Sequence, residues 1–378
     1  MKYNFDEIIS RKNTNATKYD RAGDLLPLWV ADMDFRVPQE VTDVLLNSVR
    51  HSIFGYTEPQ GEYFEAIKIW FAKNFDYEPK KEWLVKTPTV VFALAMAIRA
   101  YTKEGESVMI QTPVYHLFAK TITDNKRKLV DSPLVLKEGR YTIDFEDFEN
   151  KIAHNKVKLF LLCSPHNPVA RVWTAEELAT ISRICAKYNC LVVSDEIHCD
   201  FVYDGHKHHV FSTIHDNAII LTAPSKTFNL AGLQVSNVFI EDAHLRNKFE
   251  EEVSTTGYNQ LGTMGHLACL SAYQHGEEWL AQLKLYLAES INLMKNFIAS
   301  NIPQIKMIEP EGTYLMWLDF NALGLTQQQL DHLLTTKAKL LLSSGSSFGE
   351  AGTGFQRINI ACPRKILQDA LTQLANNL

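Results

Sequence analysis

The sequence predicts an α/β protein with a mostly parallel central sheet and a second, smaller α+β domain. In the middle of the chain, short apolar runs alternate with helical segments, which is typical of strands buried on both faces of a parallel sheet. After about residue 277 this alternation gives way to one long amphipathic helix and several short elements. The length of 378 residues also exceeds what one hydrophobic core usually serves, which favours two domains.

Short apolar runs of four to seven residues predict the strands of the central sheet. They lie at 106–110, 157–163, 191–194, 218–222 and 235–240. The helix predicted over 90–101 is apolar almost all round. A second helix begins after Thr174, whose side chain forms a capping box with Glu177, and runs to about residue 188.

The pattern of the smaller domain begins with apolar residues at steps of three or four, which predict one amphipathic helix. They are Leu280, Leu283, Leu287, Ile291, Met294 and Ile298. A strand over 314–318, a polar helix over 327–336 and short strands near Leu340 and Arg357 follow. We expect a large cofactor-binding domain over 46–280. We expect a small domain formed by 281–378 together with an N-terminal segment, 1–45, that could pack onto either unit.

Composition and charge exclude several classes of function. The chain has 38 Lys and Arg against 44 Asp and Glu, a net charge of −6, which argues against a nucleic-acid or anionic membrane partner. The longest conspicuous apolar run, 90–98, is far below the ~20 residues of a membrane span. Residues 1–11 lack the apolar stretch of a signal peptide. The six cysteines are scattered without a C-x-x-C motif, and we expect them to be reduced in a cytoplasmic protein.

Three polar residues follow successive predicted strands. Asn167, Asp195 and Lys226 are separated by 28 and 31 residues, about one strand-helix unit each. Alone, each has an ordinary structural explanation: a turn, a helix cap and an exposed lysine. Together they predict one crevice at the carboxyl ends of parallel strands. A desolvated lysine there is a good Schiff-base former, a carboxylate can pair with a protonated heterocycle, and an amide can donate to a phenolate oxygen.

At this point the sequence resembles a known family. Its motifs follow the order found in fold-type I pyridoxal-phosphate enzymes of the aspartate aminotransferase class (aminotransferase class I/II). That order is Asn-Pro, then Asp195, then Ser225-Lys226, then an arginine near the C-terminus. Several longer motifs are similar to those of its cystathionine β-lyase branch, the MalY/PatB-type C–S lyases. These motifs lie at 28–35, 54–57, 164–168, 194–198, 225–229 and 355–361.

The resemblance implies pyridoxal 5'-phosphate as cofactor and assigns roles to individual residues. Lys226 would bind the cofactor covalently and act in catalysis, and Asp195 would pair with its ring nitrogen. The residues implied around the ring and its phosphate are Asn167 and His198 at the ring hydroxyl, Tyr115 stacked on the ring, and Ser225 with the N–H groups of Thr89 and Val90 at the phosphate. Tyr56 would reach the phosphate in the neighbouring subunit, which implies a homodimer with shared active sites and a catalytic contribution from Tyr56 and Tyr115.

The resemblance also implies a substrate site. Arg357 would bind the α-carboxylate of an amino-acid substrate. Tyr115 and the segment 29–35, which contains Asp32, would limit how the substrate side chain turns. A second arginine that would suit a dicarboxylate is not matched by any residue. The implied activity is therefore β-elimination from L-cystathionine or related cysteine conjugates, which gives a thiol, pyruvate and ammonia.

Four positions depart from the wider family pattern. Gln234 stands where an arginine commonly contacts the phosphate, and Thr89 and Ala170 stand where glycine is usual. His198 replaces a tyrosine of many aminotransferases, a change typical of the branch.

Two other functions stay open at this stage: an aminotransferase that uses the same lysine, and a regulatory protein that uses the fold to bind a partner. We expect no metal site, since the histidines and cysteine between 198 and 209 fit no zinc spacing.

Overall fold

The computed structural model describes residues 2–378, and Met1, the first residue of the predicted N-terminal segment, lies outside them. The strands are β1 (Leu26–Pro27), β2 (Leu84–Thr87), β3 (Ser107–Ile110), β4 (Lys128–Asp131), β5 (Val135–Lys137), β6 (Arg140–Thr142), β7 (Leu159–Cys163), β8 (Leu191–Asp195), β9 (Ile219–Thr222), β10 (Ser236–Ile240), β11 (Lys306–Met307), β12 (Leu315–Asp319), β13 (Leu340–Leu341), β14 (Ser343–Ser344) and β15 (Phe355–Asn359).

The α-helices are interspersed with these strands. They are α1 (Thr17–Asp20), α2 (Gln39–His51), α3 (Gly61–Phe75), α4 (Val90–Tyr101), α5 (Leu117–Asp124), α6 (Phe145–Asn155), α7 (Ala175–Lys187), α8 (Pro224–Thr227), α9 (Ala243–Ser254), α10 (Thr263–His275), α11 (Glu277–Asn301), α12 (Gln327–His332) and α13 (Arg364–Ala375). The capping box predicted at Thr174 and Glu177 is present at the start of α7.

Seven strands form the central sheet in the order β2-β10-β9-β8-β7-β3-β4. All pairings are parallel except those of β10, which runs antiparallel to both of its neighbours. The prediction of a mostly parallel sheet is confirmed, and its five predicted strands are β3, β7, β8, β9 and β10. The edge strands β2 and β4 were not predicted, because each is only partly buried and therefore lacks a continuous apolar run.

Helices cover both faces of this sheet, and alternate residues of each strand enter different apolar cores. On β3, Val108 and Ile110 pack in the core that also contains Phe118 of α5. Met109 points to the opposite face, into the core that contains Phe148 of α6. This arrangement explains why the central strands read as continuous apolar runs rather than alternating ones.

The C-terminal part contains a four-stranded antiparallel sheet in the order β11-β12-β15-β14. The predicted amphipathic helix is α11, which packs on α13. The helix predicted over 327–336 is divided, because α12 ends at His332 and a π-helical turn, Leu333–Lys337, follows. The short strand near Leu340 is β13, which pairs with β1 of the N-terminal segment and not with the four-stranded sheet.

The N-terminal segment is held against the C-terminal part by more than this strand pair. The Asn359 side chain donates to the carbonyl oxygens of Val30 and Asp32, each at 2.6 Å. Residues 28–33 are therefore placed over the sheet end where the predicted site residues lie. Within residues 2–378, no helix combines the length and the apolar character needed to cross a membrane.

Candidate active site

A cavity of about 530 Å³ opens at the carboxyl ends of β7, β8 and β9. It is bounded by residues 29–31, the start of α4, and β14 with β15. Most of the predicted site residues line this one cavity. They are Thr89, Val90, Tyr115, Asn167, Asp195, His198, Ser225, Lys226 and Arg357. The convergence predicted from the spacing of Asn167, Asp195 and Lys226 is therefore present in the structure.

Lys226 lies in α8, directly after β9, with its side chain partly buried in the cavity wall. Its Nζ donates a hydrogen bond to the carbonyl oxygen of Ala31 at 2.7 Å. Burial lowers the pKa of this amine to about 8, while the carboxylates of Asp32 and Asp195 act in the opposite direction. An amine with this pKa is partly uncharged near neutral pH, which is the form that attacks a carbonyl carbon.

Asp195 ends β8 and is only 6% exposed. One carboxylate oxygen accepts from the backbone N–H of Ile197 at 3.1 Å. Burial raises the pKa of this carboxyl to about 7, although the Ile197 hydrogen bond and Lys226 favour the charged form. A buried carboxylate without an ion-pair partner among the described residues is suited to a cationic ligand.

Arg357 on β15 is a buried cation, 5% exposed, without a carboxylate partner among residues 2–378. It donates to the carbonyl of Trp29 at 2.7 Å and to the Ser343 hydroxyl at 3.1 Å. Its guanidinium lies 5.0 Å from the centre of the Phe348 ring. Burial lowers its pKa to about 10. Its Nε has no hydrogen-bond partner, so the site leaves a buried cation free to bind an anion.

Asn167 connects this arginine to the strand-end groups. Its Oδ1 accepts from Arg357 Nη1 at 2.9 Å, which orients the amide so that its NH₂ group remains available as a donor. Its backbone carbonyl also accepts from the N–H of Tyr115 at 3.1 Å. One hydrogen-bonded unit therefore places a cation, an amide donor and an aromatic wall around the same cavity.

His198 and Tyr115 supply uncharged aromatic walls. Burial moves the pKa of His198 well below its usual value, so the ring is neutral, and its buried Nδ1 has no hydrogen-bond partner. The His198 ring meets Tyr314 edge to face at 5.9 Å. Burial raises the pKa of the Tyr115 phenol, which is therefore also neutral. Neutral rings beside Lys226 limit the access of water to its amine and favour stacking with a flat ligand.

The remaining predicted residues lie elsewhere. Tyr56 is 99% exposed and does not line the cavity of its own chain. Asp32 pairs with Arg11 at 2.7 Å, lies 3.7 Å from Lys18 Nζ, and borders a smaller cavity of about 280 Å³. The substrate role of Asp32 therefore stays a prediction.

Backbone angles bear on three of the departures from the family pattern. Thr89 has an extended φ of −153°, a conformation that any residue adopts, so glycine is not required there. Ala170 is different, because its φ of +57° lies in the left-handed region that favours glycine. Gln234 also has a positive φ, +51°, and lines the cavity.

Several wall residues were not predicted from the sequence. They are His116, Leu342 and Ser343. Of these, Ser343 lies opposite Arg357 in the pairing of β14 with β15, a contact set by the register of two distant strands. In the part of the chain that the structure describes, no group of three or more His, Cys, Asp or Glu side chains is placed to hold a metal ion.

Comparison with known proteins places this geometry in a family. Residues 24–374 match the family described as aminotransferase class I and II. The chain is 39% identical to cystathionine beta-lyase PatB of Bacillus subtilis over 98% of both chains. It is 30% identical to the protein MalY of Escherichia coli over 99% of this chain and 98% of that one.

Solved structures agree with the sequence matches. Cystalysin from Treponema denticola, which contains a pyridoxal 5'-phosphate cofactor, has a TM-score of 0.97 and 36% identity over 100% of this chain and 99% of that one. The PLP-bound C–S lyase of Staphylococcus hominis has a TM-score of 0.94 and 32% identity over 100% and 98%. The aspartate-aminotransferase-like fold is confirmed, and the chain belongs to the class I and II aminotransferase family.

Proposed function

We propose that this protein is a pyridoxal-phosphate-dependent carbon–sulfur lyase. It would cleave L-cystathionine or related cysteine S-conjugates by β-elimination to give a thiol, pyruvate and ammonia. The observation that carries the proposal is the partly neutral Lys226, placed in one cavity with the unpaired carboxylate of Asp195 and the unpaired guanidinium of Arg357. The similarity to proteins named cystathionine beta-lyase and C–S lyase supports this choice of reaction.

The residues present fit the cofactor. An amine of lowered pKa suits covalent attachment, a buried carboxylate suits a pyridinium nitrogen, and the free NH₂ group of Asn167 suits the ring hydroxyl. His198, whose buried Nδ1 has no hydrogen-bond partner, lines the same cavity, and Tyr115 provides a flat wall. Bound in this way, the cofactor would supply an electron sink for the pair left when the Cα proton is removed.

The chain's own residues would then perform the binding and proton-transfer steps. Arg357 would bind the substrate carboxylate, and the Trp29 backbone carbonyl and the Asn167 side-chain oxygen, which accept its hydrogen bonds, would keep it in place. Lys226 would remove the Cα proton of the bound substrate, and the Ala31 carbonyl would orient its Nζ. The Cβ–S bond breaks with its electron pair leaving on the thiolate. Tyr115 and Trp29 would limit rotation of the substrate side chain by walling the cavity.

An aminotransferase would use the same lysine, and the family itself includes that activity. Such an enzyme must also accept a 2-oxo acid, and dicarboxylates call for a second arginine. Arg357 is the one arginine among the described residues that line the cavity, which favours the lyase. The presence of Lys226 and Asp195 with perturbed pKa values also speaks against a purely regulatory binding role.

The deciding experiment compares two products. The holoenzyme is incubated with L-cystathionine alone, and with amino acids plus 2-oxo acids, and pyruvate and transferred amine are measured. The proposal expects pyruvate release without added 2-oxo acid and much slower transamination. Amine transfer that outpaces pyruvate release across thioether and ordinary amino acids would replace the lyase by the aminotransferase.

We also propose a cytoplasmic homodimer in which Tyr56 completes the partner's site. Its support is the exposure of the segment that carries Tyr56 and of apolar side chains just before it. These are Leu46, Val49, Ile53 and Phe54. In this assembly 46–280 would form the large domain, and 1–45 with 281–378 the small one.

Mixing two inactive variants tests the shared site. Tyr56→Ala and Lys226→Ala proteins would form heterodimers in which one of the two sites keeps both residues, and activity should partly return. An active monomer at assay concentration would contradict the proposal.

A further inference from the structure

Every second backbone carbonyl of residues 29–35 accepts a hydrogen bond from one of three side chains. The donor and acceptor pairs are Arg357 with Trp29, Lys226 with Ala31, and Asn229 with both Met33 and Phe35. Two of these donors are the cations that the proposed function uses. The third, Asn229, ends the motif at 225–229 that contains the lysine, and the proposed function gives it no role.

The side chain of Asn229 fastens residues 33–35 to the turn that carries Lys226. Its Oδ1 accepts from the N–H of Met33 at 2.9 Å, and its Nδ2 donates to the carbonyls of Met33 and Phe35, each at 3.0 Å. A carboxamide offers one acceptor and two donor protons, and all of them are used here. A carboxylate has no proton for the two carbonyls, and a hydroxyl has only one.

The backbone between Lys226 and Asn229 is itself held in a compact turn. The N–H of Phe228 donates to the carbonyl of Pro224 at 2.9 Å, and that of Leu230 donates to the carbonyl of Ser225 at 3.1 Å. Asn229 has a left-handed φ of +58°, which asparagine tolerates better than most residues. It does not line the active-site cavity, so it can act on the chemistry only through the groups that it holds.

We infer that Asn229 is a positioning residue, which fixes the Ala31 carbonyl opposite the Nζ of Lys226. The turn that carries the lysine thereby also places the lysine's hydrogen-bond acceptor, because Met33, which Asn229 holds, is only two positions from Ala31. The inference rests on the proposed function in treating Lys226 as the reacting amine. It adds a residue outside the cavity that controls where this amine points.

Loss of the Asn229 side chain should make the charged form of Lys226 less stable. A carbonyl acceptor at 2.7 Å favours the ammonium over the amine. The carboxylates of Asp32 and Asp195 act in the same direction, whereas burial and Arg357 oppose them. When residues 31–33 are released, the Ala31 carbonyl and Asp32 both lose their fixed positions near the amine, so its pKa should fall.

The test titrates the Lys226 amine directly and needs neither substrate nor turnover. Full-length protein without cofactor is labelled with acetic anhydride over a range of pH, and mass spectrometry measures acetylation of the peptide that contains Lys226. The wild-type midpoint should lie at about 8. In Asn229→Gly it should be lower by about one pH unit, the effect of one hydrogen bond to a charged group. Glycine is used because it adopts φ +58° without strain.

Thr222→Val is the matched control. Thr222 ends β9, and its buried hydroxyl donates to the carbonyl of Asn237 at 2.9 Å, but it lines neither the cavity nor residues 29–35. This variant removes a buried hydrogen bond close to the lysine and should leave the midpoint unchanged. Amide hydrogen exchange at Met33 should become faster in Asn229→Gly and stay the same in Thr222→Val, because only the first variant removes the acceptor of that N–H.

Faster exchange at Met33 with an unchanged Lys226 midpoint would overturn the inference, because Asn229 would then hold the segment without placing the acceptor. An equal fall of the midpoint in Thr222→Val would also overturn it, since any loosening near the lysine would have the same effect. Wild-type protein that gives the expected midpoint, but whose holoenzyme releases no pyruvate from L-cystathionine, would overturn the proposed function alone.

Discussion

Replacing Asp34 by alanine should destabilise the protein, because Asp34 neutralises a lysine that is completely buried. Lys18 is 0% exposed, and its Nζ lies 2.7 Å from Asp34 Oδ2. Asp34 also accepts from Arg11 at 2.8 Å and from the Tyr19 hydroxyl at 3.0 Å. These contacts hold residues 28–35 in place, and the same segment supplies the carbonyls that bind Lys226 and Arg357.

The size of this destabilisation depends on which charges remain close to Lys18 after Asp34 is removed. Removing one partner of a buried ion pair costs about 3–5 kcal/mol, because the other charge stays buried. Here Asp32 remains, 3.7 Å from Lys18 Nζ and paired with Arg11. The remaining carboxylate offsets part of the penalty, so we expect Asp34→Ala to lower the free energy of unfolding by about 2–4 kcal/mol.

Urea unfolding followed by circular dichroism measures this loss. The exposed pair of Lys365 and Asp369 on α13 provides a control, since Asp369→Ala should cost less than about 0.5 kcal/mol. The double variant Lys18→Met with Asp34→Leu should recover most of the loss, because neither charge then remains buried. A change below about 1 kcal/mol for Asp34→Ala would refute the argument that a buried charge is left unpaired.

Two further predicted outcomes concern the site, and a third concerns backbone strain at Ala170. The rate of covalent cofactor attachment to apoenzyme should rise with pH around a midpoint of about 8, because only the uncharged Lys226 amine attacks. Stopped-flow absorbance measures this rate, and a midpoint near 10.5 would contradict the prediction. Asp195→Asn should lower kcat about 100-fold or more while circular dichroism stays unchanged, and near-normal turnover would remove Asp195 from the site. Ala170→Gly should raise the free energy of unfolding by about 1 kcal/mol, because glycine adopts φ +57° without strain; a loss in urea unfolding would contradict this.

The sequence predicted the strand ends well because their signal is local. Each of Asn167, Asp195 and Lys226 follows its own apolar run directly, and parallel strands must bring their carboxyl ends to one edge. The antiparallel direction of β10 was not predicted, since a run buried on both faces looks the same in either orientation. The edge strands and the π-helical turn were missed because their apolar pattern is weak.

Contacts made by backbone carbonyls could not be predicted from residue types at all. Lys226 binds the carbonyl of Ala31, 195 positions away, and Arg357 binds that of Trp29, 328 positions away. Any residue offers a carbonyl, so no sequence motif marks these partners. They depend on where the N-terminal segment folds, and the sequence left that open.

The N-terminal segment therefore does more than cover the sheet. Its carbonyls at 29 and 31 accept hydrogen bonds from Arg357 and Lys226, so the segment helps to fix the separation between the guanidinium and the amine that we propose for substrate binding and cofactor attachment. Asn359 and Ser343, from the C-terminal part, bind carbonyls of the same segment. The large sheet alone thus supplies Lys226 and Asp195. The distance between the Lys226 amine and the Arg357 guanidinium is set only where residues 28–33 connect the large sheet to the C-terminal part. A change that loosens this segment should therefore disturb the orientation of both the Arg357 guanidinium and the Lys226 amine.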